Sequence, residues 1–115
     1  MMSGIRFNQG DVVIVPFPFS NLSAVKQRPV LILSNNIYND ESQDVITCGI
    51  TSNLSNTAHS ILVGSNDLEE GSIPKTSRIK ADKLFTLEKT LIIKKVATVN
   101  KATLKEVKEE LMRIT

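Results

Sequence analysis

Two short apolar runs, each joined to proline, constrain this chain more than any other feature. Residues 12–15 read VVIV and pass directly into Pro16-Phe17-Pro18-Phe19, and residues 30–33 read VLIL and follow Arg28-Pro29. Cβ-branched residues favour the pleated, half-buried surface of a strand. Proline has no N–H to give to a ladder, so it is confined to sheet edges, strand starts or bulges. A strand is therefore predicted over residues 11–15, opened by the Gly10-Asp11 turn signal, with the PFPF segment leaving the sheet or lying on its edge. Residues 20–27 are polar and read as a loop, which puts Pro29 at the first position of the second strand. The longest apolar stretch, residues 12–19, falls far short of the ~20 residues that cross a bilayer.

The rest of the chain continues the pattern of short strands. Residues 35–44 read as loop, with room for a short helical turn around Ile37 and Tyr38. Strands are predicted over residues 44–50, 60–63, 77–80, 84–87 and 92–99, with a turn over 66–71. At the C-terminus the period changes. Asn100 suits an N-cap, and Leu104, Val107, Leu111 and Ile114 fall at i, i+3, i+7 and i+10, one stripe of an amphipathic helix. Strands ending in a helix, with no repeat and no linker, predict one domain over residues 1–115. Its expected class is β-rich α+β: a small β-barrel or strongly bent sheet with a helical lid.

Single counts narrow the chemistry. One Cys excludes an intramolecular disulfide and a Cys-cluster metal site, and one His excludes paired-histidine acid–base chemistry and His-rich metal sites. The N-terminus has no charged-then-apolar signal pattern, and an unpaired Cys suits a reducing compartment, so the expected location is the cytoplasm. The formal charge of +2 hides an asymmetry. Through Pro74 there are three basic and seven acidic residues, and from Lys75 onward eleven basic and five acidic. A basic half can face a polyanion, or it can be a solvated surface of interleaved charges.

Several side chains could carry function. Arg28, with Lys26 and Gln27 beside it, stands at a loop–strand junction, where its planar fork suits a phosphate or a surface carboxylate. Thr51 and Ser52 offer hydroxyls after a strand, for phosphate oxygens or for a local turn. Lys80 and Asp82 lie two apart near a strand end, so they can share one side or form an exposed ion pair. His59 has no partner motif and is expected on the surface, and Cys48 sits inside an apolar strand pattern as a buried structural thiol.

In order along the chain, GDVVIVPFPFS, KQRPVLILSN, TCGITSN and GSIPKTSRIKADKLFTLEK resemble the MazF/PemK family of toxin endoribonucleases. The most specific piece is G-D-[IV]-V followed about eighteen residues later by R-P-[AV]-L-[IV]-L. The resemblance implies an SH3-like β-barrel of the plasmid-maintenance-toxin type (the CcdB/MazF/Kid fold) and a homodimer. It implies a type II toxin that cleaves single-stranded RNA selectively, using neither a metal nor another cofactor, to leave a 2′,3′-cyclic phosphate and a 5′-hydroxyl. It also implies a cognate antitoxin, and no membrane partner. Arg28, before Pro29, matches the family's catalytic arginine, Thr51 the hydroxyl used with it, and Asp82 an acidic position of the site. Lys26, Gln27, Ser52, Ser77 and Lys80 fall among the expected RNA-binding residues.

The chain also departs from the family. Ser23 and Leu22 stand where other members carry a glutamate and, in one branch, a histidine, so no general base is assigned. Two rivals remain open: a DNA gyrase inhibitor of the same fold, in which Arg113 to Thr115 would matter, and a non-catalytic module that engages RNA or antitoxin. A supercoiling assay separates the first, and RNA binding without cleavage marks the second.

Overall fold

Every residue of the VLIL run is buried, which a strand with one solvated face cannot achieve. Val30 and Ile32 enter a cluster with Phe7, Val13, Val15, Val45 and Ile92. Leu31 and Leu33 enter a second one on the other face, with Cys48, Ile50, Ile79, Val99 and Val107. The period-2 alternation of a strand feeds both clusters from one run. Each large side chain buried fully, such as Leu31 or Ile79, contributes about 1.5–3 kcal/mol.

The computed structural model describes residues 6–18, 25–55 and 57–115. Strands β1 (Asp11–Pro18) and β2 (Val25–Ile32) lead to the short helix α1 (Asn36–Glu41) and then to β3 (Asp44–Thr51) and β4 (Ser60–Val63). A 3-10 turn (Ser65–Asp67) precedes β5 (Leu68–Gly71), and the long β6 (Ser77–Glu88) follows. A second 3-10 turn (Lys89–Leu91), β7 (Lys94–Val99) and helix α2 (Lys101–Ile114) complete the chain. The strands pair antiparallel in the order β4-β6-β3-β2-β1-β7-β5. Register breaks in β1, β3–β6 and β5–β7 help the sheet curl into a half-barrel.

The prolines sit where the ladder can spare them. β1 pairs with β2 through Pro18, but with β7 only as far as Ile14. The Ile14 carbonyl accepts from the Ile93 N–H, so alternation turns the nitrogens of Pro16 and Pro18 toward that same, now vacant side. Pro16, Phe17 and Pro18 thus stay in the sheet on an edge of the described residues, the second of the two predicted outcomes, and Phe19 lies outside the described residues. Pro29 is the fifth residue of β2 rather than its first, because the strand begins at Val25. It faces Ile14 across β1, and the β2–β3 ladder starts only one residue later, at Val30↔Gly49. Of the loop predicted over 20–27, residues 25–27 are strand, and the rest lie outside the described residues.

Three further expectations are corrected and one is met. Residues 77–80 and 84–87 belong to one strand, β6, interrupted where Cys48 pairs Leu84 while Gly49 pairs Lys80. Ala81, Asp82 and Lys83 are left as an extra loop of backbone, a bulge that reads in the sequence as a strand end. Of the turn over 66–71, residues 68–71 are strand: β5 pairs with β7, which itself begins at Lys94 rather than at residue 92. The helical turn around Ile37 and Tyr38 is α1, capped by Asn35, whose side chain accepts from the Tyr38 N–H.

Helix α2 closes one side of the sheet against β4 and β6. Asn100 caps it, accepting from the Thr103 N–H at 2.9 Å. Val107 is buried, and Leu104 and Leu111 pack on the same cluster. Met112 and Ile114 are exposed, so the apolar stripe serves the core only to Leu111.

Candidate functional site

Arg28 lies mid-strand, opposite Val15, half-buried. The expected loop–strand junction is instead the point where β2 acquires its second neighbour, since pairing with β3 begins at Val30. Between these diverging strands two cavities open, and Arg28, Pro29 and Ile50 line both.

The first cavity encloses about 490 Å³. Arg28, Thr51, Asn53, Lys80 and Lys83 supply its polar side chains, and Phe17, Leu84 and Phe85 are part of its apolar wall. Phe17 and Phe85 contact each other with ring centroids 5.2 Å apart at a tilted 59°, a geometry favoured by the ring quadrupoles. The second cavity, about 540 Å³, is lined by Lys26, Gln27, Arg28, Ser52 and Ser77, and also by Lys75 and Lys94. Among the described residues no carboxylate lines either cavity. Both are therefore regions of positive potential.

The proposed residues are not equivalent. Thr51 ends β3, and its Oγ1 accepts from the Asn53 N–H at 3.1 Å, the local turn that the sequence left open. The hydroxyl proton can still donate. Lys80 is buried rather than a surface cation, and its Nζ donates to the Ala58 carbonyl at 2.7 Å. Arg78 donates through Nε to the Leu54 carbonyl at 3.0 Å, and Ser60 through its hydroxyl to Thr57 at 2.8 Å. The segment after Thr51 is thus held from beneath by two cations of β6. Ser77 donates its hydroxyl to the Lys75 carbonyl at 3.0 Å, bracing the turn before β6.

Asp82 lines neither cavity. It is exposed on the β6 bulge, where the two-residue spacing from Lys80 no longer sets a common side. It lies close enough to Cys48 to raise that thiol's pKa, although burial is the larger cause, and together they push it to about 12. The thiol stays protonated, as a structural cysteine should. His59 is about half exposed and not isolated: its Nδ1 lies 3.1 Å from Glu110 Oε2 on α2. Sequence reasoning missed Lys75, Lys83, Lys94 and the Phe17–Phe85 pair. The basic surplus after Pro74 was the signal for the lysines, but only the curl of the sheet brings them beside Arg28.

Residues 8–115 match the family described as PemK-like, MazF-like toxin of type II toxin-antitoxin system. No match was found among curated proteins. Among solved structures, an endoribonuclease in complex with its cognate antitoxin from a Mycobacterial species is 23% identical with a TM-score of 0.75, covering 93% of this chain and 92% of that one. MazE–MazF from Deinococcus radiodurans is 19% identical with a TM-score of 0.78, covering 96% of each chain. The Mycobacterium tuberculosis toxin MazF-mt6 is 16% identical with a TM-score of 0.71, covering 90% of this chain and 93% of that one. At these identities the likeness is one of fold.

Proposed function

The chain belongs to the PemK-like, MazF-like family of type II toxin–antitoxin toxins, and from that premise we propose that it cuts single-stranded RNA where the two cavities meet at Arg28. The observation that carries this reading is the position of Arg28, a permanently charged fork shared by two cavities that no carboxylate lines among the described residues. Structural neighbours described as endoribonucleases support the same reading.

The chemistry is an in-line displacement. The 2′-oxygen forms a bond to phosphorus, the P–O5′ bond breaks, and the products are a 2′,3′-cyclic phosphate and a 5′-hydroxyl. The proton of the 2′-hydroxyl must leave to a base, and the departing O5′ must gain one. Arg28 stabilises the charge that builds on the phosphorane, and the Thr51 hydroxyl orients a non-bridging oxygen. Lys80 acts by holding the segment after Thr51, and Lys26, Gln27, Ser52 and Ser77 face the neighbouring backbone. Asp82, outside both cavities, is the remaining carboxylate for proton transfer, so its contribution is smaller than that of Arg28. Positioning and charge stabilisation supply most of the rate. The whole chain works as one toxin domain, as a homodimer in the cytoplasm, needing no metal and restrained by a cognate antitoxin.

The test is digestion of a long RNA in EDTA with mapping of the ends. Cleavage with cyclic-phosphate ends is expected, falling about 10²–10³-fold in Arg28→Ala and less in Asp82→Ala. Intact RNA, or cleavage undiminished in Arg28→Ala, overturns the reading. Binding without cleavage would instead support the non-catalytic module.

A further inference from the structure

The second cavity holds two lysines that the reaction above does not use. Lys75 sits on the short connection between β5 and β6, and Lys94 opens β7. Their contrast with Lys95 is informative. Lys95 is committed: its amine lies 2.9 Å from Glu70 Oε1 and 3.6 Å from Asp11 Oδ1. Lys94, its chain neighbour, is exposed, and neither it nor Lys75 has an ion pair or hydrogen bond from its side chain among the described residues.

The segment that carries Lys75 is fixed. The Ser72 N–H donates to the Val96 carbonyl at 3.1 Å, Ile73 packs on the core, and the Ser77 hydroxyl holds the Lys75 carbonyl. Pro74 stiffens the residue before it. Lys26 and Arg28 approach from β2, so four cations from three separate parts of the chain line one concave space, and no carboxylate lines it among the described residues. Such a concavity focuses positive potential, and ammonium groups with hydroxyls beside them suit phosphodiester oxygens.

We propose that Lys75 and Lys94 form a subsite for the RNA backbone flanking the scissile phosphate, so that the second cavity holds phosphates while Arg28 serves the bond that breaks. This rests on the ribonuclease reading, deepening it by adding residues that set affinity and not rate. An acidic protein segment is the competing occupant. The hydroxyls of Ser52, Ser72 and Ser77, and the continuity of this cavity with Arg28, favour phosphodiester.

The probe is a 2′-O-methyl RNA oligonucleotide, which cannot be cleaved, titrated with the full chain over a range of salt concentrations. Each lysine removed from a single-stranded backbone lowers the slope of log K against log salt by about 0.7. The Lys75→Gln/Lys94→Gln double variant is therefore expected to lose about 1.4 of slope, while Lys105→Gln on the exposed face of α2 loses none. In cleavage assays the double variant raises KM several-fold with kcat unchanged, whereas Arg28→Ala lowers kcat. An unchanged slope, no binding by the wild type, or an equal loss in Lys105→Gln overturns the subsite. So does a double variant that keeps its RNA affinity but loses hold of its antitoxin, which would assign the cavity to a protein. If the wild type binds with the expected slope changes yet cleaves nothing, the subsite stands and the ribonuclease reading falls.

Discussion

Asp11 is fully buried, yet every contact it makes is structural. Its Oδ2 accepts from the Asn8 N–H at 2.8 Å, and its Oδ1 accepts from Thr98 at 2.9 Å and lies beside Lys95. One carboxylate thus closes the turn before β1 and ties that strand to β7. Asp11→Ala leaves these donors and the Lys95 amine without it, and is expected to cost about 3 kcal/mol in urea unfolding. Gly71 is equally constrained. Its φ is +78°, and an added Cβ would lie 2.2 Å from the Val96 carbonyl oxygen. Gly71→Ala should lose about 2–3 kcal/mol. Gly64→Ala, whose Cβ would meet nothing closer than Thr76 Oγ1 at 3.6 Å, should change stability by no more than about 0.5 kcal/mol. Cys48 was correctly legible as structural, because a lone thiol in an apolar alternating run has nowhere to go but the core. With its pKa pushed up to about 12 by burial and then by Asp82, it should resist thiol reagents at neutral pH until the protein is unfolded. Labelling in the native state would contradict this.

Elements were readable in the sequence where periodicity and punctuation agreed. β3, β4 and α2 satisfy both: alternation or a helical stripe, bounded by a polar loop or by Asn100. Asn100→Ala should remove about 1 kcal/mol from α2. β5 was not readable, because Leu68–Gly71 carries two glutamates and pairs through its backbone. The Lys95–Glu70 contact fastens it to β7. Through its hydrogen bond and charge, Lys95 holds the Glu70 carboxyl below its ordinary 4.5, and Glu70 in turn raises Lys95 above 10.5. A lowered acid pKa stabilises the fold above the carboxylate range and ceases to as pH falls through the lowered value. A raised amine pKa stabilises until pH climbs through the raised value. Glu70→Gln should therefore show a small, constant deficit around neutral pH, shrinking once pH falls below about 4.5. Unfolding midpoints measured over pH check this. The long β6 was hidden for another reason. Its Ala81–Lys83 bulge inserts polar residues that look like a terminus, and the same bulge carries Asp82 away from the cavities. Arg28 and Thr51 stood out by their positions at strand boundaries, and only their catalytic roles came from resemblance. The placement of Lys75 and Lys94 depends on a curl that no local pattern encodes.

For the molecule as a whole, the proposed ribonuclease reading, with two concave cavities meeting at one arginine, calls for a single-stranded substrate. A base can reach the apolar wall of Phe17, Leu84 and Phe85 only if it is splayed from its neighbours, which a duplex forbids. Annealing a complementary strand over the cleaved sequence should therefore abolish cutting, and undiminished cutting of the duplex would contradict that geometry. Helix α2 matters at the same scale, since it covers one apolar face of the sheet through Leu104, Val107 and Leu111. A chain ending at Asn100 should lose its cooperative unfolding transition. The prolines of β1 have a consequence beyond the fold. An unpaired strand edge is a template on which another chain can add a strand, and among the described residues the far end of β1 is such an edge. With Pro16 and Pro18 facing outward there, an incoming strand finds two donors missing in a row. The same dipeptide pattern that shaped the sheet thus disfavours edge-to-edge pairing between copies of a small, β-rich protein. Replacing both prolines with valine should lower the concentration at which the protein deposits, with little change in the stability of the individual molecule.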